Sequence, residues 1–335
     1  MRKVFITGTA GFIGFHLAQL LLDEGFRVHG FDGMTDYYDV ALKQKNHQVL
    51  LQHPNFTATE GMLENNELLS TVADFEPSII VHLAGQAGVR YSLENPRSYL
   101  ESNIVGTFNL MEVARQLDVA HILMASTSSV YGSNEEMPFV ETEKADTPLT
   151  FYAATKKANE AMAHSYAHLW NLPTTMFRFF TVYGPNGRPD LAPFKFVDAI
   201  LDGRPIDIYN HGDMHRDFTY VTDLVRGIRL LIDTPPVRPD NREVLEGDSL
   251  SPVAPYRIVN IGNSDKVRLL DFVEAIEEEL GQKAIRNYMP MQMGDVPATW
   301  ANAELLKTLT GYKPQTDIKD GIREFVAWFR DYYAK

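Results

Sequence analysis

Hydrophobic and polar positions change period along the chain in a regular alternation. Short apolar runs read as strands: KVFITG (3–8), RVHGFD (27–32), SIIVHLAG (78–85), HILMAST (121–127) and TTMFRFF (174–180). Between them lie segments with apolar residues three or four apart, which predict helices from about Gly11, near Pro96 to Gln116, and from Tyr152. The strands are nearly continuous in apolar residues, as expected of parallel strands buried on both faces. Strand and helix alternating in this way predict right-handed βαβ units and an α/β fold, a Rossmann-like doubly wound parallel sheet.

The texture changes after Phe180. PNGRPD reads as a loop, PFKFVDAILDG as a helix, PIDIYN as a short strand, and HGDMHRDFTYV as a turn entering a strand. TDLVRGIRLLID is a helix able to return to the first layer. A strand, YRIVNIG, and two helices, RLLDFVEAIEEEL and IKDGIREFVAWFRDYY, close the chain. Residues 234–255 carry five prolines and little periodicity, which predicts a surface loop. The expected division is a Rossmann domain over 1–180, with part of 217–260, and a smaller C-terminal α/β domain over most of 181–335.

With 335 residues, 44% hydrophobic and 22% charged, the chain can bury a large core. Its formal charge of −13 disfavours polyanions, so no nucleic-acid partner is expected. Cysteine is absent, which removes disulfides and thiolate metal ligands. A strand begins at Arg2, leaving no room for a signal peptide, and no apolar run approaches the roughly 20 residues that span a bilayer. The expectation is a cytosolic protein without a membrane partner.

TGTAGFIG places glycines at 8, 11 and 14 between the first strand and the first helix. Such a turn lets the backbone approach a pyrophosphate, which the helix N-terminus favours. Asp32 ends the second strand 18 residues past Gly14, where a carboxylate accepts ribose hydroxyls and repels a 2′-phosphate. The expected cofactor is NAD rather than NADP. Tyr152 and Lys156, in YAATK, fall one helical turn apart, and an ammonium beside a phenol favours phenolate, a usable base. His164 and His168 share that spacing but lack a third ligand and an HExxH glutamate, so a packing role is expected and no metal is assigned.

Together TGTAGFIG, Asp32, HLAGQAGVR, Asn103 in SNIVGT, STSSVYG and YAATK resemble the extended short-chain dehydrogenase/reductase superfamily. Within it, DYYDVALK, AGVRYSLENPRSYLESNIVGT, FFTVYGPNGRPD, HGDMHRDFTYV and MQMGDVPATWA resemble the UDP-glucuronate 4-epimerases. The resemblance implies a UDP-sugar substrate, a homodimer built on paired helices, and NAD-dependent epimerisation at C4 through a 4-keto intermediate. By position, Thr127 resembles the hydroxyl partner of the sugar 4-hydroxyl, Tyr152 the base, and Lys156 the residue that tunes Tyr152 and holds the nicotinamide ribose. Phe12, Ile13, Lys43, Leu83, Ala84, Gly85 and Asn103 match cofactor-lining positions. Arg216, Gln292 and Asp295 match nucleotide-holding ones. The chain departs from the family at Glu60, Gly61 and Met62, where Gly-Asp-Ile is usual and the aspartate contacts adenine, and at Gly33, where Asn is common.

Ser128 and Ser129 follow Thr127 where dehydratases of this superfamily have an Asp-Glu pair and decarboxylases a glutamate at the second position. Without that acid, a proton shuttle beyond Tyr152 has no obvious carrier, and return of the hydride is the remaining course. Ser128, Ser129 and Thr181 suit a uronate carboxylate, with Arg188 as a bidentate partner and Arg90 as a second candidate for carboxylate or phosphate. The alternatives are epimerisation of UDP-glucose and UDP-galactose, decarboxylation of UDP-glucuronate, and NAD binding without turnover.

Overall fold

The structure is a computed structural model that describes residues 1–65 and 67–335. Seven parallel strands form the central sheet. They are β1 (Lys3–Thr7), β2 (Arg27–Asp32), β3 (Phe56–Glu60), β4 (Ile79–His82), β5 (His121–Thr127), β6 (Thr174–Phe179) and a last strand, Tyr256–Ile261. Their spatial order is Tyr256–Ile261, β6, β5, β4, β1, β2, β3. The winding direction therefore reverses between β1 and β4, and a crevice opens there beyond the carboxyl ends of the strands, where doubly wound sheets bind ligands.

Side chains alternate across each strand, and both faces are covered. Val4 and Ile6 point into one core with Val28, Val81 and Phe177, beneath the helices Phe12–Asp23 and Val221–Leu231. Phe5 points the other way, with Ile80, Ile122 and Met176, beneath the helices Thr107–Gln116 and Phe151–Trp170. A third core, around Val197, Phe272 and Phe325, joins the helices Ala192–Leu201, Leu269–Leu280 and Ile318–Tyr333. Short parallel pairs lie beside it, Pro205–Ile208 with Ile285–Tyr288 and Thr181–Tyr183 with Phe218–Tyr220.

The segment predicted as one helix from Pro96 to Gln116 is a short α-turn, Pro96–Tyr99, a π-helical stretch, Leu100–Gly106, and an α-helix from Thr107. Residues 234–255 form neither helix nor strand, and His164 and His168 pin them, through Ser251 Oγ at 2.8 Å and the Val253 carbonyl at 2.8 Å. Beneath the end of β5, Arg178 donates to both oxygens of Glu160 at 2.9 and 2.8 Å, and Ser126 donates to the same carboxylate at 2.7 Å. Both charged side chains are almost fully buried. Removing one partner of such a pair costs about 3–5 kcal/mol, so this contact fixes β5, β6 and the Tyr152 helix relative to one another.

Candidate functional site at the sheet switch point

The glycine turn after β1 is shaped by close backbone contact. Gly8 sits at φ +83°, and a β-carbon on Gly14 would lie 2.0 Å from the Gly8 carbonyl oxygen. A β-carbon on Gly8 would lie 2.9 Å from the Ala84 nitrogen, so β1 and the β4 loop meet without room for side chains. Asp32 is held at the end of β2 by the Ala10 and Met34 amides, each 2.9 Å from one carboxylate oxygen.

A groove of about 360 Å³ runs over this turn. Gly8, Gly11, Phe12, Ile13, Gly14, Asp32, Lys43, Leu83, Ala84 and Gly85 all line it. Lys43 Nζ is tied to Thr35 and lies 4.4 Å from the Tyr38 ring. Asn103 acts from behind the wall: it accepts from the Gln86 amide at 2.8 Å and donates to the Gln86 carbonyl at 3.0 Å, fixing the loop that carries Gly85. The sequence assigned no role to Tyr38, Glu101 or Ser102, which also line the groove, as does Met62 from the segment that departs from the family pattern. Glu101, Ser102 and Asn103 all fall in the π-helical stretch, whose wider turn resets the helix register beside the groove.

The helix Phe151–Trp170 starts at Thr150, whose hydroxyl caps the Ala153 amide at 3.2 Å. Tyr152 is in its first turn and Lys156 one turn on. Burial raises the Tyr152 phenol above its ordinary value, opposed by a hydrogen bond with Thr127 and by the charge of Arg188. Burial pushes the Lys156 ammonium down to about 8. Its Nζ donates to the Ala125 carbonyl at 3.2 Å and stands 3.3 Å from where a Gly85 β-carbon would be. The groups that favour phenolate here are Thr127 and Arg188, while the Lys156 stem carries its ammonium to the end of β5. Among the described residues no carboxylate pairs with Lys156, whose ammonium, beside the groove-lining Gly85, has three donors and one bond made.

Thr127 closes β5 and caps the following turn, accepting from the Ser129 amide at 3.2 Å and donating to Ser129 Oγ at 3.3 Å. Ser128 and Ser129 line a second cavity of about 490 Å³, together with Thr150, Val296 and Thr299. Arg90 pairs with Asp295 at 2.9 Å and lies over the Tyr209 ring. Arg216 donates to the Val296 carbonyl at 2.9 Å, and the Gln292 carbonyl accepts the Asp295 amide at 3.2 Å. Arg90, Arg216 and the Gln292–Asp295 turn, far apart in sequence, are thus one neighbourhood. Thr181 opens the strand Thr181–Tyr183, its amide bonded to the Asp217 carbonyl at 3.0 Å. Arg188 differs from expectation. Rather than standing free, it grips Asp190 with two bonds of 2.9 and 2.6 Å, and Tyr37 donates to the same carboxylate at 3.1 Å. It also lines the groove rather than the second cavity.

These features suit a dinucleotide. Gly8 and Gly14 clear its approach, Asp32 keeps two backbone-anchored oxygens at the ribose position, and Lys156 has unspent donors. A family model described as GDP-mannose 4,6 dehydratase matches residues 5–325. The chain belongs to the extended short-chain dehydrogenase/reductase, or NAD-dependent epimerase/dehydratase, family.

Its relatives in this family include the protein named "Probable UDP-glucuronate 4-epimerase" from Rhizobium meliloti (strain 1021), 54% identical over 99% of this chain and 98% of that protein. UDP-glucuronate 4-epimerase 1 of Arabidopsis thaliana is 43% identical, over 99% of this chain and 77% of its own length. The solved structure of UDP-glucuronic acid 4-epimerase from Bacillus cereus with UDP-glucuronic acid and NAD superposes with a TM-score of 0.88 at 29% identity, covering 99% of this chain and 100% of that one. Among the described residues no helix is long and apolar enough to cross a membrane.

Proposed function

We propose that this member of the family is an NAD-dependent isomerase that interconverts UDP-glucuronate and UDP-galacturonate at C4. The observation that carries this reading is the approach of Thr127, at the end of β5, to Tyr152, with Lys156 one helical turn on, and hydroxyls and no acid at 128 and 129 beside the second cavity. Glu135, the carboxylate among the residues lining the second cavity, is exposed. Relatives and neighbours named for this same reaction support it.

NAD, which the Gly8–Gly14 turn, Asp32 and Lys156 would hold, would supply the hydride acceptor and donor for C4. Tyr152 takes the proton of the 4-hydroxyl as that hydride leaves, and gives it back when the hydride returns on the other face. Thr127, hydrogen-bonded with Tyr152, orients the hydroxyl. Lys156, buried beside Gly85, directs its remaining donors toward the nicotinamide ribose. Arg90, Arg216, Gln292 and Asp295 form the seat for the UDP portion. Ser128, Ser129 and Thr181 receive the sugar carboxylate with Arg188, whose partner before substrate arrives is Asp190. A 4-keto uronate is a β-keto acid and loses CO₂ when its C5–C6 bond aligns with the carbonyl π orbitals, so a fixed carboxylate also protects the intermediate.

We read the protein as a cytosolic homodimer. Leu100, Val105 and Phe108 on one helical segment and Leu169 and Trp170 on another leave apolar area exposed, suited to pairing with a second copy. The test of function is to incubate purified protein with UDP-glucuronate and no added cofactor. UDP-galacturonate with traces of UDP-pentose is expected. UDP-pentose as the main product, or inertness alongside turnover of UDP-glucose, would overturn the reading.

A further inference from the structure

The groove continues past Asp32 to an end whose chemistry differs from that of the family resembled by the sequence. Asp32 marks the adenosine ribose, so the base belongs beyond it, against the residues that follow β3. There the chain offers Met62 and Leu63. The Gly61 amide donates to the Asp32 carbonyl at 3.0 Å, which locks the turn after β3 to the end of β2. A β-carbon on Gly33 would lie 2.4 Å from Met62 Sδ. Gly33 is not in the left-handed region, so its lack of a side chain serves space and not backbone conformation. The two departures from the family pattern, Gly33 for Asn and the run Glu60-Gly61-Met62 for Gly-Asp-Ile, therefore meet in one feature: the missing side chain at 33 is the seat of the thioether at 62. Leu63 is buried and backs this surface from beneath, a Gly106 β-carbon position being 2.7 Å from its Cβ. Besides Asp32, three carboxylates line the groove: Asp36, whose charge acts on the Lys43 ammonium, Glu64 and Glu101. Glu101 is committed to Arg97 at 2.6 Å, and Glu64 belongs to the turn closed by the Asn65 amide on the Met62 carbonyl at 3.0 Å.

We propose that this chain holds the adenine ring of its dinucleotide on the Met62 thioether, seated by Gly33, and does not read the 6-amino group with a side-chain carboxylate. A polarisable thioether packs favourably on an aromatic ring but accepts hydrogen bonds weakly, so contact is kept and donor recognition is lost. The inference rests on the NAD reading above.

The test compares NAD with nicotinamide purine dinucleotide, in which hydrogen replaces the 6-amino group and the ring nitrogens remain acceptors. Both are titrated calorimetrically into nucleotide-stripped protein. Wild type should bind the two within roughly threefold of each other, whereas Met62→Asp should favour NAD by about tenfold or more, the worth of a hydrogen bond to a charged acceptor. Met62→Ala should weaken both ligands about equally. Gly33→Ala should weaken NAD binding several-fold on its own and add little on top of Met62→Ala, because the two positions share one contact. A wild-type preference for NAD of about tenfold or more would overturn the proposal, since another acceptor would then be reading the amine. A Gly33→Ala variant with unchanged NAD affinity would overturn the seating role. Failure of wild type to bind either dinucleotide would overturn the NAD reading itself.

Discussion

The contact between Arg188 and Asp190 permits a signed prediction on both stability and selectivity. Burial by itself would raise the Asp190 carboxyl, yet the charge and two hydrogen bonds of Arg188, with the Tyr37 hydroxyl, hold it below the ordinary carboxylate range. Each side chain of the pair is 22% exposed. Breaking a fully buried pair by removing one partner costs about 3–5 kcal/mol, and this partial exposure lowers the cost of Arg188→Met to about 2–3 kcal/mol. At a specific unfolding entropy of about 2.1 cal/mol/K per residue, that loss lowers Tm by about 3–4 °C. Arg188→Met/Asp190→Asn, which strands no charge, should recover most of it. Selectivity provides the sharper readout. Arg188→Met should weaken UDP-glucuronate by about 2–4 kcal/mol, some 30- to 1000-fold in Kd, and change UDP-glucose by less than about threefold. Asp190→Asn should do the opposite and tighten UDP-glucuronate, because it removes the carboxylate that competes for the guanidinium. Calorimetric titration of both nucleotides into the NAD-loaded protein measures all of this. Equal losses for the two nucleotides in Arg188→Met, or looser uronate binding in Asp190→Asn, would refute the role given to Arg188.

Tyr152→Phe should lower kcat by at least about 10³-fold while the purified protein retains its NAD, which absorbance of the released nucleotide checks. Gly14→Ala places a methyl 2.0 Å from a backbone oxygen that no side-chain rotation can clear, so the variant should be recovered with little NAD and a lowered melting temperature. Lys156, whose burial lowers it to about 8 in the folded state from an ordinary 10.5, binds fewer protons folded than unfolded between those values. Its contribution to stability therefore rises with pH across that window, and in nucleotide-free protein any stability advantage of Lys156→Met at pH 7 should shrink toward pH 10 in denaturant titrations. Ser129→Glu puts an acid in the second cavity beside the 4-keto sugar and should raise the UDP-pentose fraction at least about tenfold, read by separating the products.

Much of the central sheet was legible because its strands are buried on both faces and so write continuous apolar runs. The strands β1, β4, β5 and β6 announce themselves in this way, whereas β2, RVHGFD, is only partly buried and is marked by the glycine turn before it and Asp32 at its end. β3, FTATE, lies at the sheet edge and is only partly buried, and its sequence carries no such run. The helix Val40–Leu51 was visible only as part of a family segment, because KQKNHQ interrupts any apolar stripe. The site divides in the same manner. Residues set by local geometry, such as the glycine turn, Asp32 and the Tyr152 helix, could be placed from spacing alone. Asp190 as the partner of Arg188 is set by how one loop folds back over two residues, and Ala125 as the partner of Lys156 by how β5 lies against the helix, and no periodicity records either.

The Arg178–Glu160 contact shows how the two kinds of residue depend on each other. Thr127 and Tyr152 lie on different elements, and Thr127 acts on the phenol only if β5 and the Tyr152 helix keep a fixed offset. Glu160 lies two turns beyond Tyr152 on that helix, Ser126 directly precedes Thr127, and Arg178 pairs across the sheet with Ser126. All three meet on one carboxylate, so the catalytic spacing is set by a buried charge pair that never touches a ligand. An apolar substitute of equal volume would hold the same elements together about as strongly. What it would lack is direction: Glu160 accepts Ser126 and Arg178 at once, and that choice of partners fixes the register of β5 against the helix to within a hydrogen bond. Burying a charge there is thus explained by positioning rather than by stability.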